Sequence, residues 1–351
     1  MVEIARAISY RSKLIMMDEP TASLCHHEPS TLMRMVRTLA AQNIGVVYIS
    51  HRLDEIFQIA DCVTVLRDGV PVDNRPIAEM TREILIRKMV NRDMSQLYGE
   101  HRSHAADQVL LAVKGLGPKR PTAQGARVAD VNFYLHQGEV LGFFGLVGSG
   151  RTEVMEMIFG ARASVGSIAI DDKPVTIREP SQPIDQGIDF VTEDRKELGL
   201  VLGMSVRENF SLTHLKDYCA FDVVDRKRES SACRGNIRSL GIKTPSPEQK
   251  VLNMSGGNQQ KVVIAKWVAR RPRILIVGEP THCIDVGAKA EVHTLLNKLA
   301  EEGMSIIGVS SDLPEVLAIS DRVVVLKEGR NTGILPRAEA TQERIMLAAT
   351  A

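Results

Sequence analysis

Met254-Ser-Gly-Gly-Asn-Gln-Gln260 opens, and Ile319-Ser-Asp-Arg-Val-Val-Val-Leu-Lys-Glu-Gly329 closes, a stretch most of which occurs twice in the chain. An offset of 260 residues, the distance from Glu19 to Glu279, carries Glu279-Pro280-Thr281 onto Glu19-Pro20-Thr21. The same offset carries Ser310-Ser311 onto Ser50-His51, and Asp321 and Gly329 onto Asp61 and Gly69, with no gap. A shift of that length marks a duplicated domain and not a short solenoid repeat. Met1 stands opposite Lys261, so residues 254–260 have nothing opposite them. On this reading the sequence starts inside its first copy, and an N-terminally truncated tandem protein is expected.

Bulk properties narrow the class. At 351 residues the chain can bury two cores. Lys+Arg 44 against Asp+Glu 43 leaves a net charge of +1, which gives no electrostatic reason for a nucleic-acid or lipid surface. Hydrophobic content of 44% with 4% aromatics suits an aliphatic α/β protein. The five cysteines form no Cys-x-x-Cys pair, so neither a disulfide framework nor a zinc site is indicated. Cys25-His26-His27-Glu28 reads as a surface loop, because adjacent ligands point in different directions. No apolar run is long enough for a membrane span, so work at a membrane would require a partner to supply the membrane part.

Periodicity predicts strands alternating with helices, hence a parallel sheet covered on both faces. The first copy reads as a helix ending near residue 10, strand 13–17, helix 28–42, strand 45–50, a short helix after 51, strand 62–66 and one helix over 77–94. Pattern is lost around 97–107, taken as a linker between a half domain at 1–96 and a complete one at 108–351. The second copy reads as strand 109–113, an irregular loop over 115–127, and strands at 129–135, 139–145, 167–170 and 188–192. Residues 205–245 read as a polar helical insertion without a strand. Helix 256–270, strand 273–277, helix 286–302 and strands 304–310 and 322–327 repeat the first copy. A first copy lacking everything equivalent to residues 108–260 is expected to carry an unpaired sheet edge and to be the less stable half.

Chemistry gathers at strand ends. Gly145-Leu-Val-Gly148-Ser149-Gly150-Arg151-Thr152 follows a strand and opens a helix, fitting the phosphate-binding pattern G-x-x-x-x-G-K-[ST] with Arg151 in the lysine position. Its glycines let successive N–H groups converge on phosphate oxygens, and Thr152 can offer a hydroxyl to Mg²⁺. Arginine keeps the charge but, being planar and larger, does not reproduce a lysine's point contact. Asp18-Glu19 at the end of strand 13–17 supplies one carboxylate for a metal and one to polarise an attacking water, and His51 a contact to a γ-phosphate. In the second copy Glu279 survives, but Gly278 stands opposite Asp18 and Ser311 opposite His51. Each such lost contact costs about 3–4 kcal/mol of transition-state stabilisation. Ser255-Gly256-Gly257 opens a long helix, read either as a second backbone anion site or as an ordinary serine cap.

These pieces resemble the ATP-binding-cassette ATPases, and more narrowly the tandem-domain ATPases of bacterial sugar importers of the ribose, galactose, xylose and allose type, over nearly the whole chain. Met254 to Lys261 resembles the family's signature segment. Asp18-Glu19-Pro20-Thr21 and Gly278-Glu279-Pro280-Thr281 are similar to its Walker B segments, and Ser50-His51 to its switch. Val191-Thr-Glu193-Asp-Arg-Lys196 resembles the subgroup's replacement for the Q-loop, and Ile284-Asp285-Val-Gly-Ala-Lys-Ala-Glu291 is typical of it. The chain departs from the family at Gly278, and at His282-Cys283, where Arg-Gly is usual.

The resemblance implies a P-loop NTPase fold of ATP-binding-cassette type, a parallel-sheet core with antiparallel β and helical subdomains. It implies ATP and Mg²⁺ as cofactors. Glu19, His51 and Glu279 would be catalytic and Asp18 and Thr152 metal ligands. Gly145, Gly148, Ser149, Gly150, Arg151, Thr152, Glu193, Ser255, Gly256 and Gly257 would contact nucleotide. In that family each ATP lies between the P-loop of one domain and the signature of the other, and neither composite site is complete in this sequence. The implied function is the ATPase subunit of a monosaccharide importer on the cytoplasmic, inner face of a bacterial membrane, impaired or inactive as the chain stands. Its implied partners are permease subunits, a periplasmic sugar-binding protein and a second ATPase copy, with no nucleic acid. Alternatives are a remnant that binds nucleotide weakly and a tandem regulator without a permease. Near-neutral charge and the lack of a basic linker speak against the regulator.

Overall fold

The computed structural model describes residues 12–18, 20, 28–50, 53–67, 70–81, 84–85, 88, 103–119, 128–146 and 148–350. They belong to two compact units, residues 1–97 with 285–287, and residues 98–284 with 288–351.

In the first unit, β1 (Leu14–Asp18) pairs in parallel with β2 (Gly45–Ile49), from Leu14 opposite Gly45 to Asp18 opposite Ile49. Helix α1 (Glu28–Ala41) connects them, as a parallel pair requires. Its buried Leu32, Met33, Val36 and Leu39 keep helical spacing and pack on Ile15 and Met17 of β1. Helix α2 (Leu53–Ile59) comes next, then the antiparallel strands β3 (Cys62–Arg67) and β4 (Val70–Pro76). The continuous helix read over 77–94 is corrected at its start: Ile77–Glu79 is a single 3₁₀ turn that extended Met80 (φ −104, ψ 122) ends, residues 84, 85 and 88 are helical, and 89–94 lie outside the described residues. Strand β4 escaped the pattern because an edge strand with polar residues on both faces shows no alternation.

The second unit begins with β5 (Val109–Pro118), β6 (Val131–His136) and β7 (Val140–Gly145). The loop expected over 115–127 therefore starts later: residues 115–118 stay in β5, which shifts register against its neighbours near Val113 and Leu116 and between Lys114 and Gly117. Helix α3 (Arg151–Ile158) is next, then β8 (Ser164–Ile170), β9 (Lys173–Val175), the short α4 (Ser181–Asp185) and β10 (Ile188–Val191). The insertion contains α5 (Val206–Ser211) and α6 (Arg226–Ser239), with a hairpin of β11 (Cys219–Ala220) and β12 (Val223–Val224) between them. The reading without a strand is corrected there, since two residues per strand are too few to show a period. Then come α7 (Gly256–Val268), β13 (Ile274–Gly278), α8 (Val286–Glu301), β14 (Ser305–Val309), α9 (Leu313–Ile319), β15 (Arg322–Lys327), β16 (Arg330–Pro336) and α10 (Gln342–Thr350).

One sheet runs β10-β13-β14-β7-β15-β16, parallel except for β16, and a second, antiparallel sheet runs β6-β5-β8-β9. One core fills the space between the sheets around Phe133, Phe143, Val154, Met155 and Ile276, and another lies on the opposite face around Phe210, Val262, Leu275 and Leu296. Buried on both faces, β7, β13 and β14 read as unbroken apolar runs. At the equivalent positions of the first unit only one face is covered. Leu14, Met16, Val47 and Ile49 are 55%, 69%, 42% and 47% exposed, whereas Ile274, Ile276, Ile307 and Val309 are at most 3% exposed. Burying an aliphatic side chain is worth about 1.5–3 kcal/mol, so the first unit lacks a large share of the second's stabilisation. Limited proteolysis is expected to cut within residues 12–97 before the second unit, and equal resistance of the two would contradict this.

Candidate functional site

Strand β7 delivers the chain to Gly145, and helix α3 begins at Arg151 after Gly148 and Gly150 adopt φ of 80° and 96°, conformations natural only to glycine. A Cβ on Gly145 would stand 2.4 Å from both Leu326 O and Ser149 Oγ, so this turn closes only without a side chain. A Cβ on Gly148 would meet nothing within 4 Å, which leaves an open cradle in front of the helix. The turn is tied to the β15–β16 hairpin, where Gly329 N donates to Ser149 O at 2.9 Å. Two donors at the cradle, Ser149 Oγ and Arg151 Nη1, are buried without a hydrogen-bond partner. Unsatisfied buried donors beside open glycine backbone fit an anionic phosphate group.

Other chemical groups around the cradle contact one another. Thr152 Oγ1 donates to Glu193 Oε2 at 3.0 Å, joining α3 to the segment after β10. Arg151 Nη2 lies 3.6 Å from Glu279 Oε1, and Ser311 Oγ donates to Glu279 Oε2 at 3.0 Å. Burial raises the Glu279 carboxyl, against the nearby Arg151 charge and the Ser311 hydrogen bonds, and burial lowers the Arg151 guanidinium against Glu279. Desolvation therefore acts on both partners, and the pair shields two charges rather than gaining much from meeting. Glu279 sits at φ 43°, a conformation that a non-glycine residue holds only where neighbours enforce it. Its N–H donates to Val309 O at 2.7 Å, which fixes the end of β13 against β14.

Gly278 ends β13 opposite Val309. A Cβ there would come within 3.2 Å of Glu193 N and 3.4 Å of Val191 O, so a side chain at this position would press on the backbone of 191–193. No group of three or more His, Cys, Asp or Glu among the described residues is arranged to hold a metal ion. Thr152, the metal-ligand candidate that the sequence offers in the second unit, would fit Mg²⁺ with phosphate oxygens and water completing the shell.

Ser255, Gly256 and Gly257 stand at the start of α7. The Ser255 side chain makes no cap bond, which decides against the ordinary serine cap, and its Oγ accepts from Asn258 Nδ2 at 2.9 Å. Gly256 approaches Arg195 and Cys283, and Gly257 packs against Ala288. In the first unit Asp18 is exposed at the end of β1. Glu19 and His51 lie outside the described residues, as do Cys25, His26 and His27. Sequence reasoning missed Arg195, whose Nη1 and Nη2 donate to His282 O at 2.6 Å and Cys283 O at 2.8 Å. It also missed the Arg151–Glu279 pair, which no spacing rule could have announced. A cavity of about 790 Å³ opens at the other end of the strands, between Gln137, Asn236, Arg273 and Ser305, and contains none of these groups.

Comparison with known proteins places this arrangement. The ABC transporter family matches residues 128–282. The ribose import ATP-binding protein RbsA of Streptococcus agalactiae is 45% identical over 351 residues, all of this chain and 70% of that protein. RbsA of Bacillus subtilis is 44% identical with the same coverage. A putative ribose/galactose/methyl galactoside import ATP-binding protein of Agrobacterium fabrum is 45% identical over 348 residues, 99% of this chain and 66% of that protein. Among solved structures, a nucleotide-free ATP-binding cassette from an ABC transporter aligns with TM-score 0.58 and 18% identity, over 69% of this chain and 96% of its own. A cassette dimer in a post-hydrolysis state bound to ADP and Pi aligns with TM-score 0.57 and 21% identity, over 65% and 99%. Both share the P-loop NTPase fold of the second unit. The chain belongs to the ABC transporter family, in the branch of ATP-binding proteins whose members are named for ribose and galactose import.

Proposed function

We propose that this chain is the ATP-binding subunit of a monosaccharide importer and that its second cassette binds nucleotide while turning it over slowly or not at all. The names of its relatives support sugar import. The observation that carries the second part is the Arg151–Glu279–Ser311 cluster beside an open glycine cradle. In this reading residues 1–96 are the C-terminal half of a first cassette, 97–107 a linker and 108–351 a second cassette. Among the described residues no helix is long and apolar enough to cross a membrane. The subunit would accordingly work from the cytoplasmic face, against permease subunits fed by a periplasmic sugar-binding protein, and in contact with a second ATPase copy.

The roles rest on the contacts. N–H groups of Gly148 and Gly150, with the Ser149 hydroxyl, would donate to phosphate oxygens of ATP, and Arg151 Nη1 would reach them from the helix start, while the Ser149 N–H holds the turn closed by donating to Leu146 O at 2.9 Å. Thr152 would take one position on Mg²⁺, which when bound neutralises charge between phosphates. Glu279, engaged by Arg151 and Ser311, is poorly placed to polarise a water, and Gly278 offers the metal nothing. Ser255, Gly256 and Gly257 would act across an interface on a nucleotide held by another P-loop, and Asp18, Glu19 and His51 would serve that productive site.

Purified full-length chain is expected to turn ATP over well below about 1 per second, under the usual enzyme range. Arg151→Ala is expected to weaken ATP binding about tenfold or more, one charge-assisted contact being worth about 1.5–3 kcal/mol. Turnover of several per second that survives Arg151→Ala would overturn the reading.

A further inference from the structure

His282 and Cys283 follow the end of β13, where His282 N donates to Glu279 O at 3.1 Å. Adjacent side chains ordinarily diverge, but Cys283 turns at φ 53°, and this left-handed step brings its Sγ back to 3.5 Å from His282 Nε2. Arg195, only 6% exposed, clamps the carbonyls of both residues and so holds the turn that aligns them. The Cys283 thiol is exposed. A thiol within reach of a base, held by a fixed third group, is the arrangement of an activated nucleophile.

The surroundings favour charge separation between the two. The His282 hydrogen bond, then the Arg195 and Lys196 cations, hold the Cys283 thiol below its ordinary range against partial burial. On the other side the Cys283 contact, with Glu279 and Glu193 beyond it, pushes His282 up. The other described cysteines lack such a partner. Cys62 Sγ faces only the acceptors Asn74 Oδ1 and Arg75 O, Cys219 faces Leu215 O, and Cys233 is buried with its thiol pushed up to about 12.

We propose that His282 and Cys283 form a nucleophile–base pair that makes Cys283 a site of reversible oxidation by hydroperoxides. Cys283 passes its proton to His282 Nε2, and the sulfur attacks a peroxide oxygen. The S–O bond forms as the O–O bond breaks, and the departing oxygen takes the imidazolium proton. Sulfur is oxidised by two electrons to the sulfenic acid while hydrogen peroxide is reduced to water. A low-molecular-weight thiol then displaces water from that sulfur, leaving a mixed disulfide that a further thiol can reduce. The modified side chain would lie against Arg195, which also packs on Gly256 of α7.

The test is site-resolved mass spectrometry of the full chain after brief iodoacetamide labelling across pH 5.5–9.5, and after hydrogen peroxide with a sulfenic-acid trap. Cys283 is expected to be labelled and trapped first, with a rate midpoint below the ordinary thiol value of about 8.5. At pH 7 it should react about tenfold faster than Cys62, and about tenfold faster than the same thiol in His282→Gln. Cys283 reacting no faster than Cys62, or a midpoint at about 8.5 or above, would overturn the proposal. The native profile decides even if His282→Gln misfolds, and Cys62→Ser, altered only in the first unit's hairpin, must keep the fast reaction.

Discussion

Asp189→Asn is expected to stabilise the second unit by about 2–4 kcal/mol at pH 8 and by almost nothing at pH 4. Asp189 stands on β10 with 1% of its surface exposed, and neither carboxylate oxygen has a hydrogen-bond partner. Burial pushes its carboxyl up to about 7 from an ordinary 3.8, only partly offset by Arg270 at 3.9 Å. The folded unit therefore keeps a proton that the unfolded chain releases. The stability this lends is fully present below about pH 4, falls as pH rises, and is gone once pH passes about 7. Asparagine is neutral throughout and should lack that slope. Denaturant melts of the two proteins at pH 4 and pH 8 check it, and a gap that does not widen with pH would contradict it.

Arg207→Met is expected to cost about 3–5 kcal/mol, because it leaves a buried carboxylate uncompensated. Arg207 reaches Glu229 Oε2 at 2.5 Å through Nη1 and Glu248 Oε1 at 2.8 Å through Nε. Glu229 is 1% exposed and also accepts from Ser211 Oγ. This network ties α5 to α6, so the loss should fall first on the helical insertion, visible as faster hydrogen exchange over residues 206–239. The double change Arg207→Met with Glu229→Gln should recover most of the stability, since the uncompensated charge goes with its partner. A single variant within about 1 kcal/mol of the parent would refute the account of this network.

The duplication carried most of what was legible. Periodicity located β13, β14 and β15 to within a residue or two, because buried parallel strands must be apolar on both faces. It failed at β4, β9, β11, β12 and β16, strands that are very short or lie at a sheet edge, where burial writes little pattern. The glycine cradle was legible because Gly148 and Gly150 take positive φ in the turn between β7 and α3. The pairing of Arg151 with Glu279 was not, since those residues meet only through the β7–β14–β13 order of the sheet. The meaning of Gly278 also sharpened. Sequence marked a missing carboxylate, and the structure adds that the backbone of 191–193 lies within 3.2–3.5 Å of where a Cβ would stand.

The central claim is that the second cassette holds nucleotide through its glycine cradle and Arg151, with little help from a metal. Calorimetric titration of full-length chain with ATP, in Mg²⁺ and again in excess chelator, tests it most directly. Similar affinities, within about tenfold of each other or about 1.4 kcal/mol, are predicted, because Gly278 supplies no ligand. Binding that appears in Mg²⁺ and falls more than about a hundredfold in chelator would contradict the account.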